Sequence, residues 1–332
     1  MCEFLIKEKY KEENMKVLQE TASGLAHGKI ILIGEHSVVH NEPAIAIPFT
    51  SAKVEVTIEK IDGESTIDSI YHTGKINDAP ITLSNLIKTL NAVCLYLGTS
   101  PDNLHIKIDS DIPAERGMGS SAAVATALVR ALFNYFDEKL TDELLHRFVS
   151  ISEKIAHGNP SGLDAKVVSS NEAVYFIRGQ GAEFFTHNLQ GYLVVADTGQ
   201  QGETIRAVAD VGKLVADKNL PGRKLVSDLG ALTKKARQFI EKKEFNQLGE
   251  ILSKAQERLK ELTVSNEKLD SLIQTALNSG AFGAKLTGGG RGGCMIALVD
   301  QADKAQKLAE KLLKAGAVRT WVHPLGDQLD EQ

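Results

Sequence analysis

The sequence predicts an α+β protein built of two domains. Three observations predict it. The chain has 332 residues, which at about 150 residues per domain suggests two domains. Apolar strand-like runs and amphipathic helical stretches are mixed through the first half. Near the C-terminus a strand–helix–strand pattern repeats that mixture. Apolar residues make up 42% and charged residues 24%, both close to globular averages, so a core can form without disulfides or metals.

Residues 1–14 are highly charged and precede a second methionine, Met15. With the segment up to 22 they read as an extension, and the organised pattern begins near Ser23. The unbroken apolar run Ile30 to Ile33 predicts a buried strand. Residues 44–60 predict a second, whose later part alternates Val54, Val56 and Ile58 with Glu55, Thr57 and Glu59. Helical spacing covers Leu83 to Leu97, and alternation returns at 103–112. An Ala-rich helix spans 120–136, and another covers about 142–156, with Asp142 and Glu143 in its first turn, where negative charge suits the helix dipole. The cluster at 157–162 reads as a turn, and 173–179 as a strand. A further strand at 191–199 opens the second domain, giving boundaries of 23–190 and 191–332. Helices are predicted near 223–243, 245–262, 266–279 and 302–315, and strands at 283–287, 294–299 and 318–325.

Charge and cysteine usage narrow the function. The net charge is −5, which argues against a broad nucleic-acid-binding surface and leaves room for a local anion pocket. Cys2, Cys94 and Cys294 are odd in number and far apart, so a disulfide framework or zinc ribbon is not expected and a reducing, cytoplasmic location fits. No apolar run reaches membrane-spanning length, and the N-terminus lacks the apolar core of a signal peptide.

Three glycine-rich stations carry the chemistry. One is Glu115-Arg116-Gly117-Met118-Gly119-Ser120-Ser121-Ala122, between a strand and a helix. Glycines admit an anion close to the backbone, helix-initial N–H groups face it, and serine hydroxyls can bond phosphate or Mg²⁺. The plainer alternative is a strand-to-helix turn with a serine cap. It is not a Walker A loop, which needs GxxxxGK[ST]. The second station, Thr287 to Gly293, has five glycines in seven positions directly before an apolar strand. It reads as backbone passing close to a ligand or another loop, or as a long glycine turn. The third holds Lys29 at the head of the first strand, then Gly34-Glu35-His36-Ser37-Val38-Val39-His40. His36 and His40 stand four apart, but two histidines without a third ligand do not predict a metal site. Asp164, in Ser161-Gly162-Leu163-Asp164, is either an acid for chemistry or part of a capping box. Glu153, near the end of the preceding helix, is either functional or solvated.

In this combination the stations resemble the signature motifs of the GHMP small-molecule kinases, over about residues 23 to 325. The segments that carry the likeness are AHGKIILIGEHSVVH, ERGMGSSAA, EKIAHGNPSGLDA and KLTGGGRGGC. The resemblance implies an N-terminal domain like the second domain of ribosomal protein S5 and a ferredoxin-like C-terminal domain. It implies transfer of the ATP γ-phosphoryl group to a primary alcohol. Within the family the motifs are most similar to those of members that convert R-mevalonate to 5-phosphomevalonate. Members acting on galactose carry an acidic residue shortly after Gly-Glu-His, where this chain has Ser37-Val38-Val39, and those acting on phosphomevalonate tend to have Tyr in place of His36.

The resemblance also assigns roles. Asp164 would be the base, with Lys29 beside it to stabilise charge on the attacking oxygen. Ser121 and Glu153 would hold Mg²⁺, the cofactor of the ATP co-substrate. Residues Arg116, Gly117, Met118, Gly119, Ser120, Ser121 and Ala122 would bind the nucleotide phosphates. Glu35, His36 and Thr204 would lie near the alcohol. The family also implies a homodimer, without nucleic-acid or membrane partners. Arg291 departs from the smaller residue that some members carry in the third motif, and its guanidinium would suit a place near phosphates. The alternatives are another small-alcohol kinase of this family, such as one acting on phosphomevalonate, or a non-catalytic ligand sensor on the same fold.

Overall fold

The protein is described by a computed structural model over residues 19–157, 162–170, 172–187 and 189–326. The charged segment 1–14 and most of the predicted turn at 157–162, including Ser161, lie outside the described residues. The described chain divides into two compact units: residues up to Leu25 with Glu55–Asp109 and Val124–Ser152, and Ala26–Val54 with Ser110–Ala123 and the chain from Glu153 onward. Strands β1 (Thr21–Ile33) and β2 (Ala44–Lys60) have residues in both.

In the first unit, α1 (Ser84–Leu97) buries Leu86, Leu90, Val93 and Cys94. The helix stops at Gly98, whose left-handed backbone (φ 68°) lets the chain bond back to the last turn. Strands β3 (Thr66–Ser69) and β4 (His72–Lys75) form an antiparallel hairpin, and β3 pairs in parallel with β5 (Leu104–Ser110). The hairpin escapes sequence prediction because each strand has four residues and only Ile67 among them is buried. Helices α2 (Ser120–Tyr135) and α3 (Asp142–His157), whose residues Ser120–Ala123 and Glu153–His157 belong to the second unit, bring Phe133 and Phe148 together with ring centroids 6.1 Å apart, and Tyr96 of α1 meets Phe148 at 5.6 Å.

The second unit holds everything that follows. Leu163 and Val167 of α4 (Leu163–Val168) enter one apolar cluster with Ile31, Val38, Ala44, Ala46, Val174 and Phe176. That cluster also takes in β6 (Ala173–Ile177), which pairs antiparallel with the start of β2 and with β7 (Gly181–Phe185). One packing nucleus thus fixes both the chain after His36 and the helix that carries Asp164. A four-stranded antiparallel sheet has the order β11-β8-β10-β9, from β8 (Gly191–Asp197), β9 (Gly283–Thr287), β10 (Cys294–Val299) and β11 (Arg319–Leu325). Its helices are α5 (Thr204–Ala216), α6 (Gly222–Glu241), α7 (Phe245–Glu261), α8 (Glu267–Asn278) and α9 (Ala302–Lys314). Gly249 of α7 and Gly283 of β9 touch so closely that a Cβ on Gly283 would fall 1.9 Å from the Gly249 carbonyl oxygen. The predicted helices and strands of this half lie within about two residues of their observed bounds. Helix α5 and strand β7 are the exceptions: only Ala207 and Val211 of α5 and only Phe185 of β7 are buried.

Candidate active site

The phosphate-loop candidate is built by backbone conformation. Glu115, Gly117 and Gly119 all have positive φ, at 57°, 78° and 73°. This bends the chain sharply from β5 into α2, whose first turn offers backbone N–H groups. Gly117 rests on the third glycine station: a Cβ there would fall 3.0 Å from Gly288 Cα. Gly119 rests on the Lys29 side chain, at 2.8 Å from Cγ by the same measure. The Met118 carbonyl accepts from the Lys29 backbone N–H at 3.0 Å, and the Met118 side chain is buried against Cys294. The Arg116 guanidinium is occupied elsewhere, donating to Asp197 Oδ1 at 3.0 Å and the Gly199 carbonyl at 3.1 Å. These bonds tie the loop to the end of β8.

Four of the residues named from the sequence meet beside this loop. Lys29, 3% exposed, pairs with Asp164 Oδ1 at 3.2 Å and donates to the Gly117 carbonyl at 3.1 Å. Asp164 sits in the first turn of α4, just after Gly162 at φ 81°. Glu153 of α3 is buried and hydrogen-bonds the Ser121 side chain at the start of α2. Burial pushes its carboxyl up to about 7, and the negative charge of Asp164 adds to the rise, offset by Ser121 and Lys29. Two carboxylates, an ammonium and a hydroxyl therefore share one electrostatic site at a helix N-terminus.

The first motif lies against the third. Glu35 has no exposed side-chain surface; its Oε1 takes a 2.5 Å bond from Lys285 Nζ, which also donates to the Leu286 carbonyl at 2.6 Å. Burial raises the carboxyl and lowers the ammonium, while their attraction opposes both shifts. His36 adopts a left-handed backbone (φ 61°), and its Nε2–H donates to the Gly289 carbonyl at 3.0 Å. Nδ1 is then the ring's lone-pair nitrogen. Burial, the main cause, brings this imidazole down to about 4, so it is neutral near pH 7. Thr204, the exposed first residue of α5, packs on the same glycine: a Cβ on Gly289 would fall 2.1 Å from its Oγ1.

Two observations change the sequence reading. Arg291 has side-chain partners away from the glycine station. Its guanidinium bonds Asp210 Oδ2 at 2.8 Å and the Thr263 carbonyl at 3.1 Å, and its backbone is left-handed (φ 56°). Lys285 is absent from the sequence-derived site. The available signal was a lysine inside a strand directly before the glycine station, where solvent exposure is not expected.

A model described as GHMP kinases N terminal domain matches residues 84–170, and one described as GHMP kinases C terminal matches 236–318. A mevalonate kinase of Pyrococcus abyssi is 30% identical, the match covering 92% of this chain and 97% of that one. The chain belongs to the GHMP kinases. Among solved structures, this GHMP kinase is similar to the mevalonate kinase of L. major in complex with R-mevalonate, with TM-score 0.80, 26% identity and coverage of 95% and 99% of the two chains. It is also similar to the Staphylococcus aureus mevalonate kinase, with TM-score 0.72, 35% identity and coverage of 93% and 100%. The family and the two-domain α+β fold expected from the three motifs are those observed. Among the described residues no helix is long and apolar enough to cross a membrane.

Proposed function

We propose that this GHMP kinase transfers the γ-phosphoryl group of ATP to the primary hydroxyl of R-mevalonate, giving 5-phosphomevalonate. The observation that carries the reading is the grouping of Lys29, Ser121, Glu153 and Asp164 at the start of α2. Similarity to mevalonate kinases over nearly their whole length supports the choice of alcohol.

Phosphoryl transfer is achieved mainly by positioning and charge stabilisation. Asp164 accepts the hydroxyl proton as the oxygen attacks. Lys29, held between Asp164 and the Gly117 carbonyl, stabilises negative charge on that oxygen. The N–H groups of Gly117 to Ala122 cradle the phosphates, while the Arg116 side chain anchors the loop from behind through Asp197. His36 and Thr204, both against Gly289, would contact the alcohol.

Mg²⁺ fits this site. Among the described residues there is no cluster of three or more His, Cys, Asp or Glu that could cage a metal. A hard cation that takes one or two protein oxygens and completes its shell with phosphate and water suits Ser121 and Glu153. A carboxyl pushed up first by burial and then by the Asp164 charge is also a group that a cation would stabilise as the carboxylate. When bound, Mg²⁺ neutralises charge on the β- and γ-phosphates.

We take residues 23–190 and 191–332 as the two domains, a homodimer as the assembly, and the cytoplasm as the location. The buried free thiols of Cys94 and Cys294 suit a reducing compartment. Product identification tests the function: with MgATP and R-mevalonate, ³¹P NMR should show one new phosphomonoester that needs both substrates. ADP without a monoester would refute it.

A further inference from the structure

Strand β9 and the loop after it fasten the first motif at three points. Lys285 and Thr287, two apart on an extended strand, share one face. Lys285 Nζ bonds Glu35 Oε1 at 2.5 Å, and Thr287 Oγ1 donates to the Ile31 carbonyl at 2.9 Å. Beyond the bend at Gly288 (φ 84°), the Gly289 carbonyl receives His36 Nε2–H at 3.0 Å.

Lys285 and Glu35 are both fully enclosed. Such a pair is commonly no more stabilising than two apolar side chains of similar size. Among the described residues Glu35 Oε2 is also buried with no hydrogen-bond partner, which costs further stability. Folding stability therefore explains this lysine poorly, whereas its place in the fastening explains it well. Glu35 immediately precedes His36, whose left-handed backbone has to be held.

We propose that Lys285 is a positioning residue for the alcohol-side motif: by clamping Glu35 it fixes the bend at His36, and with it the direction of the imidazole lone pair. Two of the three Lys285 N–H donors go to Glu35 and the Leu286 carbonyl, so its role is argued through Glu35. The inference rests on the reading of His36 as a neighbour of the alcohol.

The test compares the parent enzyme with the double variant Glu35→Gln/Lys285→Met and with Thr287→Val and Thr287→Ser. Steady-state rates are taken with MgATP and R-mevalonate, alongside thermal melts and the ¹⁵N shifts of the His36 ring. The clamp predicts that the double variant melts within about 4 °C of the parent. Its KM for R-mevalonate rises about tenfold or more, the equivalent of about 1.4 kcal/mol, while its KM for ATP changes less than about twofold. Thr287→Val shifts the same constant in the same direction, and Thr287→Ser, which keeps the hydroxyl, restores it. In the parent, His36 Nδ1 reports a lone-pair nitrogen, and the clamp variants show mixed tautomers. Parent-like KM for R-mevalonate and parent-like His36 shifts in the double variant or in Thr287→Val overturn the proposal, as does an equal loss for both substrates. If the double variant does not fold, the Thr287 pair decides. A parent enzyme inactive on R-mevalonate refutes the proposed function instead, and the clamp is then judged from the His36 shifts.

Discussion

Replacing Asp164 by Asn changes charge with almost no change of shape, and the structure gives it two separable consequences. Lys29 has two partners, Asp164 Oδ1 at 3.2 Å and the Gly117 carbonyl at 3.1 Å. Asn keeps an oxygen where Oδ1 stood, so the lysine remains hydrogen-bonded while the base is lost. Removal of a positioned base lowers kcat by about 10²–10⁴-fold. The second consequence concerns Glu153, whose carboxyl stands at about 7 through burial first and the Asp164 charge second. Asn at 164 removes the second cause and leaves the larger one, so the titration midpoint of Glu153 falls by on the order of one pH unit. Coupled ADP release measures the first effect. A ¹³C titration of the Glu153 carboxyl, assigned with Glu153→Gln, measures the second. A variant within about tenfold of parental kcat refutes the base assignment. A Glu153 midpoint that stays or rises refutes the shared electrostatic site.

Three further outcomes are expected. His36 and His323 are held near 4 mainly by burial, against an ordinary value of 6.5. A histidine with a depressed value stabilises the fold above 6.5 and loses that contribution as pH falls toward 4, about 2 kcal/mol each by pH 5; the melting temperature should therefore drop from pH 7.5 to 5, and His323→Gln should flatten that drop. Gly117→Ala puts a Cβ 3.0 Å from Gly288 Cα on a residue at φ 78°, so KM for ATP should rise at least about tenfold in steady-state assays, the size expected when backbone donors are displaced. Arg291→Ala removes a partly exposed pair with Asp210, so KM for ATP should move less than about threefold; a larger rise would return Arg291 to the phosphates.

What the sequence made legible, and what it hid, follows from the physics of each element. Strands such as β10, with all six residues buried, announce themselves as unbroken apolar runs. The β3–β4 hairpin and β7 do not, because only Ile67 and Phe185 among their residues are buried and no apolar alternation marks them. Helix α5 buries too thin a stripe to be noticed. In the site, Lys29, Ser121, Glu153 and Asp164 were legible through family motifs, and the structure brings them together. Side-chain direction was not legible. Arg116 and Arg291 stand in glycine-rich loops as phosphate ligands would, yet their guanidinium groups bond Asp197 and Asp210. Nor was the Lys285–Glu35 pair, since its partners are 250 positions apart and only tertiary packing joins them.

One assay tests the identity of the alcohol most directly: ADP release with MgATP against R-mevalonate, phosphomevalonate, homoserine and galactose in parallel. Turnover is expected with R-mevalonate and only background with the other three. Turnover with phosphomevalonate or galactose, and none with R-mevalonate, would contradict the assignment of His36 and Thr204 while leaving the phosphate loop in place.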